Sequence, residues 1–428
     1  MRHLDRCSAI IRISALSFLM VISFRSSAVE LWADEEHDRL VSLDTALKSS
    51  AVASLAPDDP ILYRERQSAV GLFRLRLGLN IKLGEQTSAA FAYEHRTRLA
   101  SEASGLGGGA GVLPSFAKAP YRISQLDWEL AGSDTFVYRH ELDRALLALH
   151  PEWGEVTVGR QAIGLGRGVL FSAVDVFAPF SPTEVDREWR RGVDAVRVEY
   201  RTSATSSIEL LSVFGETWDD SAVLGRIRGY MGDVDGELIF GKRAEDAMVA
   251  GIVSAAVGDA EVHVELAAYD TPDAQPDGGL FGSDHLVGKA VLGASYTFDV
   301  GNGLTLFGEY HYSGFGVKNV RDATRRLRNA AFQERLLRGD MQILGRQALG
   351  CQLTYPFSEA WGGSLLLLAS PVDGSGLISP GLAWDFSESG SLRLSAFIPW
   401  GEEPRCGKFR SEYGATAMNL FLQLSTYF

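Results

Sequence analysis

After residue 28 the chain has no apolar run long enough to cross a membrane as a helix. Such a span needs about 20 consecutive apolar residues, and later stretches such as Leu365-Leu366-Leu367-Leu368-Ala369 are strand-sized. Cysteine is scarce: Cys7, Cys351 and Cys406 are all there are. That excludes a disulfide framework and a cysteine-built metal centre, and leaves open whether Cys351 and Cys406 pair. An excess of basic charge is also missing. The formal net charge is −13, which argues against nucleic acid as a partner. No Gly-x-Ser-x-Gly elbow occurs. The Gly164-Leu-Gly-Arg-Gly168 stretch has no βαβ unit around it that would make it a dinucleotide loop. No cofactor and no metal site is expected, and no enzyme signature stands out.

Two classes survive these exclusions, a soluble all-β protein and a membrane β-barrel. Hydrophobic residues make up 46% and charged residues 22% of the chain, with a mean hydropathy of +0.00. That is too polar for a helix bundle in lipid and too apolar for a disordered chain. Residues 1–28 read as a cleaved signal peptide. Arg2, Arg6 and Arg12 supply its positive charge, Ser14 to Phe24 its apolar core, and Ser26-Ser27-Ala28 the small residues for cleavage. Residues 29–66 differ in pattern from the rest of the mature chain. Leu40, Leu43 and Leu47 recur at helical spacing, so a short helix near 37–55 is expected, ended by Pro57 and Pro60. The segment then acts as a periplasmic leader or a small plug.

From there the period is two. Phe73, Leu75, Leu77, Leu79, Ile81 and Leu83 alternate with Arg74, Arg76, Gly78, Asn80 and Lys82, so one face is apolar and the other carries cations. The pattern repeats almost to the end, as in Val196, Val198 and Tyr200 against Arg197, Glu199 and Arg201. Several apolar faces finish in Tyr, Trp or Phe, where a membrane barrel has its aromatic girdle and a soluble sandwich has no need of one. The last segment, Met418 to Phe428, has the alternating apolar face and aromatic end of the closing strand of bacterial outer-membrane proteins, with Phe428 as the assembly signal. Short turns alternate with long loops at 165–191, 271–285, 317–340 and 401–414. These observations predict an all-β fold: a transmembrane antiparallel β-barrel of residues 67–428, with 16–18 strands and 18 preferred. One of those strands is 121–131. Counted back from a periplasmic C-terminus, the alternation fails at the Gly-rich stretch 99–120. Either 121–131 is not a full strand or an earlier strand is hidden.

The segment Thr157-Val-Gly-Arg-Gln to Gly168, then Asp175-Val-Phe-Ala-Pro, then Arg191-Gly-Val-Asp194 resembles a stretch in the porin-like barrels related to alginate-export proteins and phosphate-selective porins. The resemblance covers about 40 residues and implies an 18-stranded passive channel. The loop carries Arg167, Asp175, Asp186, Arg187, Arg190 and Arg191, ahead of Asp194. So many opposite charges suggest an ordered network folded into the pore as a constriction, the alternative being a solvated external loop.

The strand parity places Arg74, Arg76, Lys82, Arg96, Arg98, Arg139, Arg197, Arg201, Arg226, Arg228, Lys289, Arg346 and Arg393 on the lumen face, against fewer acids, Glu309 among them. A net basic lining favours anions. The expected function is therefore an outer-membrane channel for passive diffusion of small hydrophilic solutes, with anions or acidic sugars favoured. A barrel-wall hydrolase is the alternative, for which His140, His263 and His311 are scattered strand residues. A structural or adhesive barrel is another. Expected partners are outer-membrane lipid and lipopolysaccharide, which the arginine-rich 317–340 loop could bind, and the barrel-assembly machinery.

Overall fold

A computed structural model describes residues 28–101, 111–114, 118–275 and 278–428. The signal-peptide reading lies outside these residues except for Ala28, as does Gly107-Gly108-Gly109. Eighteen strands form one closed antiparallel wall: β1 (Arg39–Leu55), β2 (Gln67–Leu83), β3 (Thr87–Ala100), β4 (Phe136–Leu149), β5 (Gly154–Gln161), β6 (Val193–Ser203), β7 (Ser206–Phe214), β8 (Ala222–Met231), β9 (Val234–Arg243), β10 (Asp246–Val257), β11 (Ala260–Asp270), β12 (Ser283–Phe298), β13 (Leu304–Ser313), β14 (Gln347–Pro356), β15 (Trp361–Ala369), β16 (Gly376–Ser387), β17 (Gly390–Trp400) and β18 (Met418–Tyr427). Three short strands, Val29–Asp34, Asp127–Gly132 and Gly279–Leu280, extend its ends. The seam joins β1 to β18 from Ala46↔Tyr427 to Leu55↔Met418. Below it Thr45 and the terminal Phe428 exchange two main-chain hydrogen bonds, of 2.9 and 2.7 Å. Closure leaves the wall no free edge, as spanning a bilayer demands.

The count of 18 agrees with the sequence reading, but two assignments change. The expected helix near 37–55 is the wall strand β1, so these residues are neither leader nor plug. Leu43, Leu47 and Ala51 are spaced by four, which is a helical repeat and also a multiple of two. All three therefore share the outward face of a strand whose inward positions are Ala46, Lys48, Ser50, Val52 and Ser54. The expected strand 121–131 is the other correction. Only Asp127–Gly132 is extended there, and it pairs beside the upper half of β4. Tyr121 and Arg122 turn inward and are buried. With β1 included, every long loop falls at the end opposite Phe428, where the two-residue 244–245 turn between β9 and β10 is the short exception among the described connections, so the 99–120 anomaly disappears. By the usual rule for such barrels the Phe428 end is periplasmic.

The inner face of β6 to β11 has two zones. Toward the long loops it is apolar, with Val193, Ala195, Leu211, Val213, Leu224, Ile239, Met248, Ala250, Ile252, Ala267 and Tyr269 buried. Toward the short turns it is charged, with Arg197, Glu209, Arg226 and Glu237. An inward apolar crescent must be covered, and loop residues Leu165, Leu170, Phe171, Val174, Val176 and Phe177 cover it from inside, joined by Phe315, Val320, Phe332 and Ile343 of the 314–346 loop. The basic character of that second loop is partly internal. Arg335 and Arg338 point inward to Asp246 and Asp340 instead of to lipopolysaccharide.

Cys351 and Cys406 are both free, Cys406 in the exposed 401–417 loop and Cys351 on the wall of β14. A membrane-impermeant maleimide added to intact cells is expected to label Cys406. A cysteine placed at Ala204, in the turn after β6, should react only once the outer membrane is permeabilised. The opposite pattern would invert the topology.

Candidate functional site

The loop between β5 and β6, residues 162–192, leaves the wall and crosses the lumen. Its backbone explains how it can do so. Away from a β-ladder each buried N–H must find another acceptor. Eight successive amides, 167 to 174, all donate to side chains. Arg167, Gly168, Ala173 and Val174 donate to Glu265, the last three at 2.8, 2.7 and 3.3 Å. Val169, Leu170 and Phe171 donate to Glu309 at 2.7, 2.9 and 2.9 Å. Ser172 donates to Gln342 Oε1 at 2.8 Å. Both carboxylates are buried on the inner wall. The Gly164–Gly168 stretch now has a physical reason. A Cβ at Gly166 would lie 2.2 Å from Ser172 Oγ and 2.9 Å from Glu265 Oε1, and one at Gly168 1.8 Å from Phe171 O. On the wall, a Cβ at Gly350 would stand 2.5 Å from Leu170 Cδ1. Glycine at each position lets chain and wall approach.

The return limb crosses to the opposite wall. Asp186 accepts from Lys48 Nζ at 2.6 Å and Arg74 at 3.0 Å. Lys48 also lies 2.6 Å from Glu188. Trp189 sits beneath cations, 3.9 Å from Lys48 Nζ and 5.1 Å from the guanidinium carbons of Arg74 and Arg76. Within the loop, Arg190 pairs with Asp175 and donates to the carbonyls of Phe177 and Ala178. Arg187 binds four loop carbonyls, those of Val169, Ser181, Pro182 and Glu184. Residues 165–191 thus lie inside the barrel, with Asp175, Asp186, Arg187 and Arg190 engaged in contacts within the loop or with the wall. Asp194 and Arg191 have other places: Asp194 lies on β6 and pairs with Arg160 at 2.7 Å, and Arg191 is partly buried beside Arg96 and Glu141.

The lumen cations expected to set selectivity are mostly neutralised. Glu94 holds Arg74, Arg76 and Arg96, and Glu141 and Asp143 hold Arg122. Arg197 and Arg226 share Glu209, Arg226 and Arg167 share Glu237, and Arg228 pairs with Glu199. Arg139 pairs with Asp127 and Glu129 of the short extracellular strand, Lys82 with Asp38 at the periplasmic rim. Arg98 is half-buried on β3, Arg201 is exposed near the periplasmic end of β6, and Arg346 donates to Gly316 O. Glu309 is a loop anchor; it does not line the path. These chains of opposite charge stiffen one side of the barrel, and they leave little net field there. Parity along one strand could not show these partners, because most of the pairs join acid and base from different strands.

The open space lies on the other side. A cavity of about 910 Å³ runs between loop residues 182–188 and the inner face of β14 to β18. That wall presents Gln352, Thr354, Ser364, Ser379, Ser395, Gln423 and Ser425, with Gly381 and Ala383 giving room. Arg393 projects from it and makes no hydrogen bond or ion pair among the described residues. A second space of about 500 Å³, sharing Glu188 and Tyr427 with the first, continues toward the short-turn end past Arg76, Arg144 and Trp189. Sequence reasoning missed Lys48, Trp189 and the neutral wall. Lys48 was hidden by the helical reading of β1, and serines on a strand carry no signal of their own.

A closed 18-stranded antiparallel barrel, narrowed by a loop folded inward after its fifth strand, is the architecture of an outer-membrane porin. The comparison with solved structures agrees. OccAB1 of Acinetobacter baumannii is 8% identical, with 95% of this chain and 99% of that one covered and a TM-score of 0.57. OccK9 (OpdG) of Pseudomonas aeruginosa is 10% identical over 90% and 98%, with a TM-score of 0.55. OccK11 (OpdR) of the same species is 10% identical over 90% and 95%, with a TM-score of 0.53. At such identity the likeness is one of fold. It runs to these Occ channels and does not single out the alginate-export or phosphate-selective group to which the loop motif pointed. No family model and no curated relative matches the sequence.

The three histidines do not assemble a wall hydrolase. His263 Nε2 lies 3.1 Å from Glu309, His311 is buried against Phe171 with ring centroids 5.0 Å apart, and His140 stacks on His95 at 5.6 Å. At the outer mouth the 314–346, 370–375 and 401–417 loops meet at Glu412. Its carboxyl accepts from Leu344 N at 2.8 Å and Gly345 N at 2.6 Å, while its own amide donates to Asp373 at 2.7 Å. Burial, partly opposed by those two amides, pushes the Glu412 carboxyl up to about 7.

Both anchors can be tested. Glu309→Ala strands three loop amides, at a cost on the order of 1–3 kcal/mol each. Single channels of this variant should be larger and noisier than the parent, and unchanged conductance would show that the loop is held by other contacts. For Glu412, the folded state favours the protonated form. The stability it contributes to the loop contact is fully present below its ordinary value near 4.5 and is lost as pH rises through about 7. Protease nicking of the 401–417 loop should therefore be faster at pH 8.5 than at pH 5, and Glu412→Gln should remove the difference.

Proposed function

We propose that this protein is a passive channel of the Gram-negative outer membrane for small hydrophilic solutes, favouring hydroxylated monoanions such as acidic sugars. The observation that carries the reading is the contrast between the two sides of the lumen. One side spends its charges on internal pairs, and the other offers an open path where, among the described residues, Arg393 stands without a hydrogen bond or ion pair amid hydroxyl and amide side chains. A polyhydroxylated solute exchanges water for Ser, Thr and Gln hydrogen bonds along such a wall, while an unpaired guanidinium attracts a carboxylate. The fold likeness to outer-membrane channels supports the location and the passive mechanism. Export through the signal peptide, recognition of Phe428 by the barrel-assembly machinery and a surround of lipid and lipopolysaccharide belong to the same reading.

In planar bilayers the purified protein should give ohmic channels whose reversal potential in a salt gradient reports anion preference. Arg393→Ala should bring the anion-to-cation permeability ratio toward one, and Arg393→Glu should invert it. Bilayers that stay closed at all voltages would sink the channel reading. An anion preference unmoved by either substitution would sink only the role of Arg393.

A further inference from the structure

At the periplasmic end, three inward-facing polar side chains on neighbouring strands fall into line. Ser88 Oγ of β3 lies 3.1 Å from His150 Nε2, just past the end of β4. His150 Nδ1 lies 3.6 Å from Glu155 Oε2 of β5. Thr157 donates to the other Glu155 oxygen at 2.9 Å, which fixes the carboxylate. The backbone that carries the imidazole is held as well, since His150 N donates to Gln86 O at 2.8 Å in the turn that leads to Ser88. Each ring nitrogen thus faces the partner that nucleophilic catalysis requires: the hydroxyl on Nε2 and the acid on Nδ1. The strand register places Lys82 directly opposite Ser88, where Cβ atoms stand about 5 Å apart. A cavity of about 380 Å³ opens beside the three, lined by Leu40, Asn80, Lys82, Ala90 and Leu146 as well as Ser88 and His150.

We propose that Ser88, His150 and Glu155 form a hydrolytic site for short-chain carboxylic esters at the periplasmic mouth of the barrel. Ser88 Oγ attacks the ester carbonyl as its proton passes to His150 Nε2. The tetrahedral oxyanion faces the ammonium of Lys82, which leans on Asp38 at 2.7 Å and is half exposed. Collapse breaks the ester C–O bond, and His150 returns the proton to the departing alkoxide, giving the alcohol and an acyl-Ser88. Water then attacks the acyl carbon, with His150 taking its proton and giving it to Ser88 Oγ, so the free acid leaves and the site is restored. Glu155 is a positioning residue that holds the Nδ1–H tautomer and the resulting imidazolium. The acyl group lies against Leu40, Ala90 and Leu146, and the size of the space limits it to a short chain. The site needs neither the solute path nor the loop, so it stands apart from the channel reading.

The test uses the folded full-length barrel in detergent, with a fluorophosphonate probe and p-nitrophenyl acetate as substrate. The expected result is one adduct, located by mass spectrometry on the Ser88 peptide and absent from heat-unfolded protein. Ester turnover should fall to the buffer rate in Ser88→Ala and at least 100-fold in His150→Asn. Glu155→Gln should lower kcat with little change in KM. The heat-modifiable mobility of folded barrels on gels, retained by all three variants, shows that loss is not unfolding. Absence of any adduct on the folded parent, an adduct on a different residue, or turnover that survives Ser88→Ala would each overturn the assignment.

Discussion

Two wall carboxylates, Glu265 and Glu309, make the interior of this barrel possible. A peptide segment that leaves a β-ladder inside a protein carries donors that must be met, and 167 to 174 are met almost entirely by these two side chains. The carboxylates in turn are tolerable in the interior because four main-chain amides converge on one and three on the other. Each side satisfies the other, so neither the loop nor the acids could be changed alone. Everything downstream depends on this anchor. It fixes Phe171 against His311 and Leu170 against Gly350, covers the apolar crescent of β6 to β11, and directs the return limb so that Asp186 and Glu188 reach Lys48.

The barrel is consequently lopsided. Charge is concentrated on β2 to β9 and consumed there in chains such as Arg228–Glu199–Arg197–Glu209–Arg226–Glu237–Arg167. Those chains tie β6, β7, β8 and β9 to one another and to the loop. Open space is displaced to β14 to β18, whose inner positions beside it are, apart from Arg393, mostly small or neutral and hydrogen-bonding. A count of inward cations predicts a strongly basic pore, whereas the pairing turns most of them into wall structure. Among the described residues, few inward cations are left without a partner.

The part of the fold legible in the sequence came from period two. Alternation identified the wall strands from β2 onward and their inward residues, and the closing segment at Phe428 gave the direction of counting. β1 escaped because leucines four apart satisfy both helix and strand, and because its inward face is made of small residues and one lysine. The 121–131 stretch misled because a few alternating residues in a loop look like a strand when nothing shows where the partner strands lie. At the site, the loop's charges announced an ordered network, and its glycines announced close approach. Partnership across the lumen was invisible, since Glu265, Glu309 and Gln342 lie roughly 90 to 170 residues from the amides they bind, and no local pattern records such distances.

The seam between β1 and β18 places a constraint on time as well as on shape. Thr45 and Phe428 come from opposite ends of the described chain, so the bonds that shut the cylinder span more sequence than any other pair of neighbouring wall strands. Contacts of such separation form late. The 162–192 loop, by contrast, is buried in contacts to β11, β13 and β1 that only an interior position can satisfy. Those contacts come from both sides of the lumen, so the closed wall grips the loop from opposite directions. The seam that gives the wall its shape is thus also the longest-range closure in the described chain, and the grip on the loop depends on it.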